Sequence, residues 1–207
     1  VAQNILGNTI TLNLILGVAL TLVCWPFLDD ILYLFGASEA TLPYARDYMR
    51  IILLGNVATH CYFGLNAILR SAGHPRLAMN CTFVAIIANV ILDPLFIFVF
   101  RWGIQGAAWA TVLSQVIALC MQIRLFSRPT ELLHFRRGIY RLRLDIVRQC
   151  IAIGMSPFLM NSCACLVVLV VNRRLLDYGG DMAIGAYGIV NRVVFLFVTV
   201  VFGLVQG

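Results

Sequence analysis

The chain has 207 residues, 61% hydrophobic and only 12% charged, with 15 basic against 9 acidic side chains and a mean hydropathy of +0.93. A soluble domain carries about 25% charge, so this composition leaves too little polar surface to cover a water-soluble globule. Disorder, a collagen-like repeat and a disulfide-rich secreted module are excluded as well, and the solvent for most of this chain is lipid.

Charge placement divides the sequence into spans. Val1 to Leu28, Ile51 to Leu69, Trp102 to Ile123 and Gln149 to Asn172 contain no Asp, Glu, Lys or Arg; Leu77 to Phe100 contains only Asp93, and Met182 to Gly207 only Arg192. A helix crosses a hydrocarbon core of about 30 Å in about 20 residues, so the pattern predicts six transmembrane helices in an all-α integral membrane protein. Barrel strands would alternate in polarity over about ten residues, and these runs do not. Both ends of the chain lie in apolar sequence and no stretch has the form of a signal peptide, which reads as an internal piece of a longer membrane protein.

Every basic residue is Arg. Arg124, Arg128, Arg136, Arg137, Arg141, Arg143 and Arg148 follow the fourth span, and Arg70 and Arg76 follow the second; Arg46, Arg50, Arg101, Arg173 and Arg174 fall on the opposite side. The positive-inside rule places the richer side in the cytoplasm. The connection Leu125 to Arg148 is basic and partly amphipathic, which suits a topology-setting linker lying on an anionic leaflet better than a nucleic-acid surface.

Cysteine and histidine add little chemistry. The seven Cys are scattered through apolar segments, where thiols pack well, and Cys163 and Cys165 match no metal-binding spacing. His60 lies inside an apolar helix, as a hydrogen-bonded packing residue or as a proton relay.

The third span carries Asn89-Val90-Ile91-Leu92-Asp93-Pro94. Asn89 and Asp93 are four apart and share a helix face. A carboxylate inside a membrane helix is costly unless it faces protein or a watery cavity, and it is a functional candidate by default. Pro94 removes a backbone donor and can free a carbonyl nearby. Such hard oxygen groups suit sodium, or a proton on a carboxyl; the other reading of Asp93 is a hydrogen-bonded support for a kink. The fourth span must pack antiparallel to the third, and its Gly103, Gly106, Ala107, Ala108 and Ala110 allow close approach. Thr111 and Gln115 then lie on one stripe as further oxygen donors. Phe63, Phe83 and Trp109 are packing or lipid-facing residues, with cation stacking as the minority use.

The runs Asn89 to Phe98 and Gly103 to Thr111, with Leu34 to Ser38, Asn66 to Pro75 and the closing Gln206-Gly207, resemble the multidrug and toxic compound extrusion (MATE) family of secondary transporters. The resemblance implies helices three to eight of a twelve-helix, two-lobed transporter of the polysaccharide-flippase superfamily. Residues 1–124 would be the last four helices of the N-lobe, 125–148 the basic cytoplasmic linker, and 149–207 the first two helices of the C-lobe. The family's N-lobe cation site maps onto Asn89, Asp93 and Thr111, holding sodium or a proton, while its fourth member, an Asp in helix one, falls before Val1. In the branch with an acidic ligand in helix seven, this chain offers only Asn161 and Ser162. Gln115, Asn161 and Arg192 are further cavity candidates.

The implied function is a cation-coupled antiporter that exports lipophilic cations by alternating access. It would work as a monomer in the plasma membrane, a bacterial inner membrane, with lipids and small lipophilic cations as partners, no nucleic acid, and no cofactor beyond the coupling ion. No nucleophile, base and oxyanion constellation or phosphate loop points to an enzyme. Two alternatives stand beside it: a lipid-linked sugar flippase, whose anionic cargo would call for a basic cavity, and a noncatalytic membrane scaffold in which Asp93 is structural.

Overall fold

In a computed structural model the described residues are 2–127 and 144–206, with side chains described over 5–127 and 144–201. The basic residues Arg128, Arg136, Arg137, Arg141 and Arg143, and with them most of the expected linker, lie outside the described residues. What is described is helical: α1 (Ala2–Cys24), a short α2 (Leu28–Leu34), α3 (Leu42–Ser71), α4 (Pro75–Pro94), α5 (Gly103–Phe126) and α6 (Leu144–Gln206).

Helix bounds depart from the charge-free runs for a physical reason. A charge-free run marks what lipid can accept, whereas a helix continues wherever its backbone bonds are made. Thus α3 begins at Leu42 and carries Arg46, Asp47 and Arg50 in its opening turns, and α1 stops at Cys24, beyond which the chain turns through Pro26 into α2. Likewise α5 runs on to Phe126, which is buried, and α6 begins at Leu144, so both ends of the expected linker are helical.

Five described helices are long and apolar enough to cross a membrane, and the last of them covers 58 residues, Leu144–Val201. A straight helix of that length would reach about 87 Å, nearly three hydrocarbon thicknesses. It does not stay straight: Gly180 has φ +62° and ψ −163°, a backbone region that essentially only glycine adopts. A Cβ placed on Gly36 would stand 3.3 Å from Asn172 Cβ and 3.6 Å from Ile184 Cδ1. A continuous helix would hold those two residues about 18 Å apart, so the limbs on either side of Gly180 fold back on each other. The fifth and sixth expected spans are these two limbs.

Helices α1, α3, α4 and α5 form one bundle, with α5 central between α3 and α4, and α1 against α3. Small residues set the approach. Ala108, Ala110 and Ala118 are fully buried, Gly106 lies against the Phe96 backbone and Gly55 against Val112. Leu6, Leu65, Leu69, Ala78, Cys81 and Phe126 make an apolar cluster at the end bearing Arg70, Arg76 and Arg124, and Ile51, Ala108 and Val112 make another toward the opposite end. Large apolar side chains face outward along α4 and α6, as Val90, Ile91, Phe158 and Phe195 do, which is the arrangement lipid requires.

Candidate cation site

Pro94 has no N–H to give to the Val90 carbonyl. Immediately after it the helix widens into a π-helical stretch, Leu95–Val99, closed by Phe100 N–H donating to the Leu95 carbonyl and Trp102 N–H to the Phe96 carbonyl, both at 3.0 Å. Wide turns of this kind recur at functional sites. One residue before the proline, Asp93 Oδ1 is buried and has no hydrogen-bond partner among the described residues. Burying a carboxylate oxygen without a partner is costly.

One turn from Asp93, Asn89 enters a cavity of about 270 Å³ whose polar lining is Tyr62, Thr82, Asn89, Thr111, Ser114 and Gln115. Thr111 Oγ1 donates to the Ala107 carbonyl (3.0 Å), which leaves its lone pairs for a cation. Ser114 Oγ donates to the Thr111 carbonyl (2.8 Å), and the Thr59 hydroxyl donates to the Gln115 amide oxygen. Phe63 also lines this cavity, its ring 5.1 Å from that of Tyr62, whereas Phe83 and Trp109 are exposed.

The structure therefore brings Asn89, Thr111 and Gln115 to one cavity, with Asp93 a turn beyond Asn89 on the same helix face. It does not bring Asn161 or Arg192 there. Both are exposed on α6, and Asn161 Nδ2 donates to the Pro157 carbonyl at 2.8 Å. His60 Nδ1 donates to the Asn56 carbonyl at 3.0 Å, and Asn56 in turn ties α3 to α1 through the Gly17 carbonyl (3.0 Å) and the Thr21 hydroxyl (3.3 Å). The sequence reading missed Thr59, Tyr62, Thr82 and Ser114. For Thr59 and Tyr62 the one sequence signal is their spacing with Asn66 along one face of α3; Thr82 and Ser114 carry none. A second recess, an apolar groove of about 510 Å³, runs between α1 and the first limb of α6, lined by Leu12, Asn13, Leu16, Ile151, Met155 and Phe158 among others.

Fold and site together define a polytopic helical membrane protein with an open, partly polar pocket between α3, α4 and α5. The MatE family model matches residues 1–95. Multidrug export protein MepA of Staphylococcus haemolyticus is 33% identical over 195 residues, 94% of this chain and 43% of the relative. The MepA protein of Staphylococcus aureus strain MRSA252 is 30% identical over 192 residues, 93% of this chain and 42% of the relative. Among solved structures, an inward-facing conformation of a multidrug resistance MATE family transporter superposes with a TM-score of 0.84 at 26% identity, covering 90% of this chain and 43% of that one. A MATE protein in a bent conformation superposes at 0.79 and 25% identity, over 95% and 44%. Along nearly its whole length the chain is similar to members of the multidrug and toxic compound extrusion family, and it spans less than half the length of these relatives.

Proposed function

We propose that the full-length transporter to which this chain contributes exports lipophilic cations in exchange for sodium or protons, with Asp93 as the coupling group. The supporting observation is the buried Asp93 Oδ1, without a partner among the described residues, one helical turn from Asn89, which lines a cavity together with Thr111. A cation or proton taken up there neutralises the carboxylate, and Asn89 Oδ1 and Thr111 Oγ1 complete a set of hard oxygen ligands. The bundle α1 to α5 then acts as the N-lobe and α6 as the first part of the C-lobe, joined by the basic segment on the cytoplasmic side. The apolar groove between them offers a lipophilic cargo a surface. Coupling follows if ion and cargo favour opposite states of the same cavity, since a ligand shifts an equilibrium only by its differential affinity.

The test is efflux of a fluorescent cationic dye by the full-length transporter, wild type against Asp93→Asn at equal expression, with sodium and pH gradients imposed separately. Wild type should extrude dye under one of the gradients, and the variant should lose at least about 90% of that flux, a barrier increase of about 1.4 kcal/mol or more. Gradient-driven efflux by Asp93→Asn at the wild-type rate would overturn the assignment.

A further inference from the structure

Beneath the cavity, four helices place polar side chains at a second level. Continued along the two helices, the antiparallel pairing that sets Thr21 against Leu53 and Gly17 against Val57 brings the buried Asn8 of α1 to about the level of Asn66 of α3. The parallel pairing that sets Thr59 against Gln115 sets Asn66 against Gln122, because both partners step down their helices by seven residues and return to the same face. On α4, Thr82 joins them: Asn66 Nδ2 donates to Thr82 Oγ1 (3.2 Å) and to the Ala78 carbonyl (3.0 Å). Thr82 also lines the cavity above and takes a long hydrogen bond, 3.5 Å, from the Tyr62 hydroxyl. The cavity and this layer thus share a wall.

The layer is deeply buried, with Asn8 and Gln122 at 0% exposure and Asn66 at 8%. Gln122 stands apart, for neither its Nε2 nor its Oε1 has a hydrogen-bond partner among the described residues. A leucine or methionine would fill the same space at no polar cost, whereas a buried amide without partners gives up the hydration of both groups. Three amides and a hydroxyl offer oxygens without fixed charge. A divalent cation would demand carboxylates, but a neutral set of this kind holds water or a monovalent cation loosely enough to release it, as conduction requires.

We propose that Asn8, Asn66, Thr82 and Gln122 form a hydrated way station through which the coupling cation, a hydrated proton or sodium, passes between the cavity lined by Asn89 and Thr111 and the end bearing Arg70, Arg76 and Arg124. This rests on the reading of Asp93 as the coupling group and adds a route to it: the ion leaves through the bundle interior, separately from the groove used by cargo. In the described state Leu6, Leu65, Leu69 and Phe126 close the route around the layer, so passage requires that cluster to loosen.

The experiment uses the full-length transporter in proteoliposomes and compares wild type, Asp93→Asn and Gln122→Met. Gln122→Met should bind cationic dye as wild type does, yet lose about 10-fold or more in gradient-driven efflux, in the pH arm if the ion is a proton and in the sodium arm if it is sodium. In a variant without native cysteines, Thr82→Cys should react with silver ions applied from the arginine-bearing side. That measurement decides the matter should Gln122→Met fail to fold. Wild-type efflux by Gln122→Met with Asp93→Asn inactive would overturn the way station alone, as would a Thr82→Cys thiol closed to silver from that side. Wild-type efflux by both variants would overturn the coupling site beneath it.

Discussion

A methyl group on Gly106 would stand 2.9 Å from both the carbonyl carbon and the oxygen of Phe96, closer than real Cβ contacts come, and the atoms it meets are backbone with nowhere to go. Gly106→Ala should therefore part α5 from the wide turn after Pro94 and destabilise the protein by about 1–3 kcal/mol, the usual range for overpacking. On α6, a Cβ at Gly154 would meet nothing within 4 Å, and Gly154→Ala should leave stability unchanged or raise it by up to about 1 kcal/mol. Unfolding midpoints of the two variants in one detergent check the contrast, and equal midpoints would refute it. The same single-residue scale decides how much of the site could be read beforehand. Asp93 stands out because a lone carboxylate in an apolar run has few innocent explanations, and Asn89 follows from its spacing. Thr59, Tyr62 and Thr82 do not stand out, since hydroxyls in membrane helices commonly bond their own backbone, as Thr82 Oγ1 does to the Ala78 carbonyl at 3.1 Å. Only the packing of α3 against α4 and α5 shows that Tyr62 and Thr82 line a shared cavity and that Thr59 bonds Gln115 in its wall.

At the scale of helices, the short α2 is held by charge as much as by apolar contact. Arg46 Nε donates to Asp29 Oδ1 at 2.7 Å and Nη2 to Oδ2 at 2.6 Å, a two-pronged pairing that only a guanidinium offers. Its side chains are 34% and 48% exposed, so water and salt screen it and its worth is about 0.5–1 kcal/mol. Arg46→Lys should cost that much at low salt and progressively less as salt rises, measured as unfolding midpoints across a salt series; a loss independent of salt would point to packing of the arginine stem instead. Two turns of the same pattern explain what the sequence hid. Asp29, Arg46, Asp47 and Arg50 interrupt the apolar runs, so a reading built on missing charge ends the helices early. In the structure Arg46 pairs with Asp29, and Asp47 Oδ2 accepts from Gln105 Nε2 at 3.0 Å, on helices that run on past the apolar stretches. Gly180 lies in the polar stretch 172–181 that separates the fifth and sixth expected spans, so the reversal is legible in the sequence; what the sequence does not show is that helical bonding runs on to either side of one glycine. The number of crossings was legible because each needs its own stretch of uncharged residues; the ends were not, because backbone bonding rather than hydropathy sets them.

Across the whole molecule, the bundle and α6 meet at the end opposite Arg70, Arg76 and Arg124 through the turn that follows α2. Gly36 takes φ +97° there, a left-handed conformation natural to glycine, and its missing side chain lets the turn settle between the two limbs of α6. The Phe35 carbonyl accepts from Asn172 Nδ2 at 3.1 Å, and Ser38 Oγ donates to Asp181 Oδ2 at 2.8 Å. Among the described residues the polar links are few, and the Ser38–Asp181 bond is exposed, so the contact is cheap to break. If the full-length transporter works by alternating access between the bundle and α6, as proposed above, this contact must separate in each cycle. In full-length transporter whose native cysteines are replaced by alanine, Ser38→Cys together with Asp181→Cys should be joined by a mild oxidant, since the Ser38 and Asp181 side chains already lie within a hydrogen bond of each other. Oxidation should then stop dye efflux and a reductant should restore it, while either single cysteine should show no effect of oxidant. A cross-linked transporter that still moves dye at the reduced rate would show that this contact stays closed throughout the cycle, and the moving surface would have to be sought elsewhere on α6.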